Sequence, residues 1–267
     1  MGSPQIPTSI WRIGALAADW ARRAGQVGAE LIYPPRCAFC REEILGPADR
    51  ILLCPTCRKQ LTAGGHAACP KCAMSLEGGA ATAINECPRC RDVDWQFSAA
   101  FRLGRYRDEL RKAVLRMKHP AGEPLAAAVG RMLATRRLAE LSAWRPEVVV
   151  PVPMHWQRRL SRGANCPDLL AAILARRLRI RSGIGALARL RLTRPQNELP
   201  PEDRAENIRG AFRIKSSWDF RGARVLLVDD VMTTGATAHE TAGVLRRGGA
   251  SDVAVAVVAR AEQGDLN

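Results

Sequence analysis

The sequence predicts an α/β protein in which a parallel sheet flanked by helices follows a small cysteine-rich module and an N-terminal helix. Short apolar runs such as Val148–Val150 and Val225–Val228 alternate with helical patterns, as in parallel sheets covered on both faces. Eight of the nine cysteines fall in four Cys-X-X-Cys pairs between residues 37 and 90. The 267 residues suffice for one catalytic-sized domain and one small module.

Composition and charge exclude several classes of protein. Hydrophobic residues make up 47% of the chain, which excludes a largely disordered protein. No apolar run approaches the roughly 18 residues of a membrane span. The N-terminus lacks the basic and apolar regions of a secretory signal, so we expect a cytoplasmic protein. The formal charge of +15 is concentrated in residues 101–200, with 21 basic and 7 acidic side chains. Such a cluster attracts nucleic acid or a phosphorylated small molecule.

The first segment, residues 1–34, is predicted to be an amphipathic helix. Apolar side chains recur at steps of three and four residues from Ile10 to Leu31, and Pro34 and Pro35 end the pattern. We expect this helix to pack on the rest of the protein. The alternative is a membrane-surface anchor, which is less favoured because the polar face of the helix is only weakly basic.

The second segment, residues 35–95, is predicted to be a double zinc-ribbon module. Each cysteine pair can form a tight knuckle whose two sulfurs point at one Zn²⁺. Pairing in sequence order predicts two structural zinc sites, and a crossed pairing of first with third and second with fourth stays open. Sites with four thiolates have no open position for catalysis, so contact with nucleic acid or a partner is the functional alternative. The predicted ligands are Cys37, Cys40, Cys54 and Cys57, and Cys69, Cys72, Cys87 and Cys90.

The third segment, residues 96–267, is predicted to hold the parallel sheet. Alternating and apolar runs predict its strands, and repeats of three and four residues predict its helices. The predicted strands are 97–103, 148–150, 185–190, 225–228 and 253–258, and the predicted helices are 109–117, 123–141, 168–178 and 236–247.

One motif in this segment has the chemistry of a phosphate site. The apolar strand 225–228 runs into Asp229 and Asp230, and a turn of small residues then leads into a helix. Gly235 permits a backbone in which successive N–H groups converge on one oxyanion, and the helix N-terminus adds its dipole. The two carboxylates can bind sugar hydroxyls, directly or through Mg²⁺. The predicted binding residues are Val231, Met232, Thr233, Thr234, Gly235, Ala236 and Thr237. An ordinary strand–helix turn with capping acids is the alternative that this combination disfavours.

This motif resembles the phosphoribosyl pyrophosphate (PRPP) motif of the type I phosphoribosyltransferases. Residues 35–262 resemble the ComF family of competence-associated proteins, which join a zinc module to such a domain. Residues 148–165 resemble the family's pyrophosphate-binding loop and RGFNQ signature, with Ala164 and Cys166 in place of the aromatic residue and Gln. Residues 194–212 resemble the mobile loop of related amidophosphoribosyltransferases. The resemblance implies that Arg162 and Gly163 face the pyrophosphate and that Arg194, Gln196 and Arg204 belong to a closing loop.

The resemblance implies Mg²⁺-dependent PRPP binding and, as an enzyme, phosphoribosyl transfer (pentosyl transfer by a glycosyltransferase) to an unidentified acceptor. Such a reaction needs no protein nucleophile, and Asp229, Asp230 and Arg162 would assist it by holding the reactants. The alternative is a non-enzymatic DNA-uptake factor that handles single-stranded DNA with other uptake proteins and has PRPP as a regulatory ligand. A zinc-ribbon adaptor without chemistry is disfavoured by the intact motif.

Three further residues are candidates for the site. Lys118 and His119 could reach a phosphate, but a solvated helix terminus is the favoured interpretation. Cys166 has no neighbouring base in the sequence, so an inert residue at a helix start is expected.

Overall fold

The computed structural model describes residues 34–44, 51–63, 67–76, 87–154, 165–191, 203–262 and 264–265. The predicted N-terminal helix lies outside the described residues, as do Arg162, Gly163, Arg194 and Gln196. Within the described ranges, no helix is both long enough and apolar enough to cross a bilayer.

Two small knuckle units open the described chain. Isolated antiparallel bridges join Arg36 to Glu43 and Ala68 to Ser75, so each unit begins with a short hairpin. Each unit also contains a short helix that starts directly after a cysteine, with proline at its first position, where the missing N–H breaks no hydrogen bond. These helices are α1 (Pro55–Leu61) and α2 (Pro88–Arg91).

The remaining elements alternate between strands and helices, as the sequence predicts. The strands are β1 (Ala99–Arg105), β2 (Val148–Pro151), β3 (Arg181–Ser182), β4 (Leu187–Arg189), β5 (Phe212–Ile214), β6 (Arg224–Met232) and β7 (Asp252–Arg260). The helices are α3 (Asp108–Met117), α4 (Glu123–Arg136), α5 (Leu138–Trp144), α6 (Cys166–Leu178), α7 (Asp203–Ile208) and α8 (Ala236–Arg247), and a 3₁₀ turn spans Pro120–Gly122.

Five strands form one parallel sheet in the order β1-β7-β6-β2-β3. Its central strands are buried on both faces, which explains their continuous apolar sequence. Strands β4 and β5 form a separate antiparallel pair. The fold is therefore a parallel sheet flanked by helices, and the two cysteine units precede this sheet in the chain.

Alternate residues of β7 face two different cores. Ala254, Ala256 and Val258 contribute to a core with helices α3, α4 and α6 and with the first cysteine unit. Val253 and Val255 contribute to a core with helix α8, the β4–β5 pair and the second cysteine unit. The two cysteine units therefore pack on opposite faces of one sheet.

The structure differs from the prediction at several elements. The helix predicted over 123–141 is divided at Arg137, where the backbone leaves helical geometry (φ −103°, ψ 13°) and the guanidinium binds the carbonyl of Arg102. The short strand predicted over 185–190 lies in the antiparallel pair and not in the parallel sheet. Strands β3 and β5, which are two and three residues long, carry no periodic signal and were not predicted.

One further difference bears on the site. The strand predicted over 225–228 continues to Met232, so Asp229 and Asp230 lie within β6 and not after it. The polar residues remain in the ladder because β7 stays apolar and paired with β6 as far as Arg260.

Candidate functional site

The cysteine sulfurs form two separate clusters in sequence order. The Sγ atoms of Cys37, Cys40, Cys54 and Cys57 lie within 4.8 Å of one another, and so do those of Cys69, Cys72, Cys87 and Cys90. Four Zn–S bonds of about 2.3 Å in a tetrahedron place the sulfurs about 3.8 Å apart. The distances from Cys40 to Cys54 and from Cys69 to Cys90 are both 3.8 Å. Both clusters fit Zn²⁺, and the sequential pairing is confirmed over the crossed one.

The paired acids lie at the carboxyl end of β6, near the middle of the sheet, where open parallel sheets bind their ligands. A side-chain oxygen of Asp229 accepts a hydrogen bond from the backbone N–H of Asp230 (2.8 Å). Burial, and then the charge of Asp230, raises the pKa of Asp229 well above its usual range. Two neighbouring carboxylates in such a position attract a cation or a hydroxyl donor.

A lysine lies beside this acid pair and provides a positive charge. Lys118 follows the last residue of α3, and its Nζ lies 3.4 Å from Oδ2 of Asp230. The charge of Asp230 raises the pKa of Lys118. The interpretation of this residue as a solvated helix terminus is therefore wrong. Helix α3 ends where its lysine reaches across to the acids on β6.

Cys166 lies near the acid pair and Lys118. It is the first residue of α6 and is buried, as expected of an inert residue at a helix start. Burial raises the pKa of its thiol, and the charge of Asp230 raises it further. A thiol with a raised pKa stays protonated and is a poor nucleophile.

The turn between β6 and α8 has the conformation that the motif requires. Gly235 adopts φ +86° directly before the helix, a region that residues with a Cβ rarely occupy. No hydrogen bond joins the backbone N–H groups of Thr233, Thr234 or Gly235 to another residue in the described part of the chain. Two residues of this turn, Thr233 and Gly235, line a shallow recess together with Asp229 and Thr237.

Two arginines donate hydrogen bonds to the carbonyl groups of the same turn. Arg260 donates to the carbonyls of Met232 (2.9 Å) and Thr233. Arg89 donates to the carbonyl of Thr234 (2.6 Å). Trp95 packs against Gly235. Sequence reasoning missed these three residues, because nothing in a single sequence relates position 89 to position 234.

The structure thus places the predicted residues as follows. Six of the predicted residues line one recess: Asp229, Val231, Met232, Thr233, Gly235 and Thr237. Asp230 lies next to Asp229 in β6, and Thr234 and Ala236 lie in and just after the same turn, but none of these three lines the recess. Arg204 is buried in α7, which packs against α8. His239 lies one turn into α8 with its ring edge against Trp95, 6.0 Å between centroids.

Two domain families match this chain. A double zinc ribbon domain matches residues 28–92, and a phosphoribosyl transferase domain matches residues 169–267. A protein of Haemophilus influenzae named "Competence protein F" is 30% identical over 232 residues, which cover 85% of this chain and 97% of that protein. The chain belongs to the ComF family.

A second ComF relative and a more distant structure complete the comparison. The "DNA utilization protein YhgH" of Escherichia coli K12 is 31% identical over 232 residues, covering 84% of this chain and 96% of that protein. The glutamine PRPP amidotransferase of B. subtilis, solved with ADP and GMP, is 23% identical with a TM-score of 0.35. The match covers 51% of this chain and 27% of that one. The two matching domain families show that this ComF protein joins a double zinc ribbon to a phosphoribosyltransferase domain.

Proposed function

We propose that this ComF protein binds PRPP together with Mg²⁺ in the recess at the end of β6. The observation that carries the proposal is the turn at Thr233–Gly235, whose N–H groups have no acceptor among the described residues and whose two end residues line the recess. Converging N–H groups at the start of a helix of 12 residues form a site for a phosphomonoester. The 5′-phosphate of PRPP is such a group.

The acid pair supports the assignment of a sugar phosphate over inorganic phosphate alone. Asp229 lines the same recess as the turn, and carboxylates accept hydrogen bonds from vicinal ribose hydroxyls. Two acids beside a polyanion repel it unless cations intervene, and Lys118 supplies one such cation. Mg²⁺ fits the remaining need, because Asp229 and Asp230 offer the hard oxygen ligands that it prefers. Bound Mg²⁺ would neutralise the pyrophosphate.

The chemistry that follows is transfer of the phosphoribosyl group to an acceptor. The bond between the anomeric carbon and the pyrophosphate oxygen breaks, pyrophosphate leaves, and the acceptor forms the new bond at that carbon. The protein contributes by holding the 5′-phosphate, orienting the ribose and excluding water. Arg162 and Gly163, predicted to face the pyrophosphate, and Arg194 and Gln196, predicted to close over it, complete this arrangement.

The test of PRPP binding is thermal stabilisation by PRPP with Mg²⁺. A ligand at 100 times its dissociation constant stabilises the folded state by about 2.7 kcal/mol. We expect the melting temperature of the wild type to rise and that of D229N/D230N to stay unchanged. Asp219→Asn, which removes an exposed acid paired with Arg221, is the control and should respond like the wild type. Equal shifts in the wild type and the double variant would contradict the proposal.

Turnover is tested separately by following pyrophosphate release from PRPP with a panel of nucleobases, amines and nucleotides as acceptors. Release that depends on one acceptor and is lost in D229N/D230N supports a transferase. Binding without release across the panel supports PRPP as a regulatory ligand of a non-enzymatic protein.

A second candidate function, handling of single-stranded DNA, is favoured by a surface beside the β4–β5 pair. The Arg181 guanidinium lies over the ring of the half-buried Trp218, 5.6 Å from its centroid. Exposed basic side chains at Arg213 and Lys215 are close in the chain to this tryptophan. An aromatic ring among cations is the arrangement on which single-stranded bases stack. The relatives named "DNA utilization protein" support the same proposal.

The test of this surface is fluorescence anisotropy with a labelled single strand at several salt concentrations. We expect affinity to fall steeply with salt, because lysine and arginine displace counterions from the phosphates. Trp218→Ala should weaken binding several-fold at every salt concentration. Trp144→Ala is the matched control, since Trp144 also lies under an arginine (Arg224, 4.3 Å) but on helix α5. Equal losses in both variants would contradict the assignment of this surface.

A further inference from the structure

We infer that the second cysteine unit, which is the second zinc ribbon, supports phosphate binding. Arg89 within this ribbon and Arg260, which is bound to it, orient the N–H groups that bind the phosphate. Arg89 and Arg260 are positioning residues, since both donate to carbonyl groups of the turn and neither lines the recess. The inference rests on the proposed PRPP site and names a group of residues that its affinity depends on.

The orientation follows from peptide geometry. In a trans peptide, the C=O of one residue and the N–H of the next point in opposite directions. Arg260 binds the carbonyls of Met232 and Thr233, and Arg89 binds the carbonyl of Thr234. The N–H groups of the three following residues, Thr233 to Gly235, therefore point away from the arginines. Each hydrogen bond behind the turn fixes one phosphate donor in front of it.

Arg89 belongs to the metal knuckle itself. It lies between the predicted ligands Cys87 and Cys90 in helix α2, so its backbone position depends on the bound metal. Arg260 is tied to the same ribbon, because its Nε donates to the carbonyl of Cys72 (3.0 Å). Both arginines thus connect zinc ligands to the turn, over separations of 145 and 188 residues in the chain.

Trp95, just after the last knuckle, closes the contact. A Cβ built on Gly235 would lie 2.7 Å from the Trp95 ring, so the ring rests directly on the backbone of the turn. The Arg89 guanidinium lies 5.8 Å from the centroid of that ring. The conformation of Gly235 is therefore held between the ribbon and the recess.

The two guanidinium groups also suit an anionic ligand. Arg260 is almost fully buried and lies near the Arg89 guanidinium. The two guanidinium groups are cations and repel each other. A phosphate on the front of the turn relieves this repulsion, so PRPP and the ribbon stabilise the same conformation.

The first ribbon does not share these contacts. Among the described residues, it meets the other face of the sheet, where Arg116 donates to the carbonyl of Phe39 (2.7 Å) and Arg136 to the hydroxyl of Thr62 (3.0 Å). We therefore expect that disrupting the metal site of the second ribbon lowers PRPP affinity more than disrupting that of the first, although the two sites are alike.

The experiment measures zinc content and PRPP affinity of the full chain in parallel, by elemental analysis and by calorimetry with Mg²⁺. We expect Arg89→Ala to bind PRPP about tenfold more weakly, or worse, with two zinc ions per chain, as when a group that orients a binding residue is removed. Arg89→Lys, which keeps one donor, should recover part of the affinity. Arg91→Ala is the matched control, because Arg91 is exposed two residues away. Its affinity should equal that of the wild type.

Equal PRPP affinities of Arg89→Ala and Arg91→Ala overturn the inference while the proposed function stands. If the wild type does not bind PRPP, the proposed function fails and this inference fails with it. If Arg89→Ala loses zinc, the PRPP affinity is measured instead for zinc-loaded Arg89→Lys and Trp95→Phe. Weaker binding of PRPP by these variants supports the inference, and wild-type affinity overturns it.

A pair of ligand variants provides an independent measurement. Cys90→Ser and Cys40→Ser each alter one partly accessible ligand, in the second and first cluster respectively. We expect each to retain one zinc ion, with the larger loss of PRPP affinity in Cys90→Ser. A loss in Cys40→Ser that equals or exceeds it overturns the inference.

Discussion

The substitution Gly235→Ala tests the phosphate turn with a magnitude that the geometry supplies. A residue with a Cβ at φ +86° loses roughly 1–2 kcal/mol to the left-handed backbone. The new Cβ would also lie 2.7 and 2.8 Å from two carbons of the Trp95 ring, well inside ordinary contact. Overpacking of this kind costs roughly 1–3 kcal/mol. The expected loss of folding free energy is therefore about 2–5 kcal/mol.

Two further variants separate these contributions. Gly222 has φ +74° with nothing within 4 Å of a built Cβ, so Gly222→Ala isolates the backbone cost of roughly 1–2 kcal/mol. Trp95→Phe removes the two outer ring carbons that the Cβ added by Gly235→Ala would strike. Combining Trp95→Phe with Gly235→Ala should therefore restore part of the lost stability, and a double-mutant cycle measures the coupling.

The assays are urea unfolding followed by circular dichroism and calorimetry with PRPP and Mg²⁺. We expect Gly222→Ala to lose stability without losing affinity, and Gly235→Ala to lose more stability and most of its PRPP binding. The reasoning is refuted if Gly235→Ala is as stable as Gly222→Ala, or if it binds PRPP as the wild type does.

Three other outcomes are expected. Lys118→Met should lower stability at pH 7 by roughly 1–3 kcal/mol, because the acid pair loses its cation. The loss should shrink in unfolding experiments as pH falls through the raised pKa of Asp229, because protonation removes one of the two negative charges that the lysine compensates. PRPP affinity should rise with pH as Asp229 ionises, in a range above the ordinary carboxyl value of about 3.9, and Asp229→Asn should abolish this dependence in calorimetry. Gly130→Ala should destabilise the protein without changing PRPP affinity: its Cβ would lie 2.9 Å from Leu170, and overpacking of roughly 1–3 kcal/mol exceeds the gain of about 1 kcal/mol in helix propensity. A gain in melting temperature would contradict this last expectation.

Local patterns in the sequence were enough to predict the sheet and the phosphate turn. The apolar runs of β2, β6 and β7 each bury both faces, and the glycine and threonines after β6 have few other uses together. Cysteine spacing predicted the metal clusters but left the pairing open, because both arrangements fit the gaps. The structure resolves this, because the sulfurs of each pair cluster with those of its neighbour in sequence order.

The parts that could not be predicted depend on contacts between distant segments. The contact of Lys118 is invisible to helix periodicity, which describes only the helix to which a residue belongs, whereas its partner Asp230 lies on β6. Arg89 looks like an ordinary knuckle residue until the ribbon is seen against the turn. Acids within a strand were not expected because polar residues usually end one, and here the paired β7 holds them in the ladder.

The position of β7 in the sheet also determines the order in which the protein can be completed during synthesis. Strand β1 pairs only with β7 among the described strands, and Arg102 within β1 can form its ion pair only once Glu262, 160 residues later, has been synthesised. At a translation rate of about 5–20 residues per second, that wait lasts roughly 8–30 s. Until β7 emerges from the ribosome, β1 and β6 expose unpaired edges, and Arg260 is absent from the back of the turn. A nascent chain of this protein therefore depends on protection from aggregation longer than its small cysteine modules suggest.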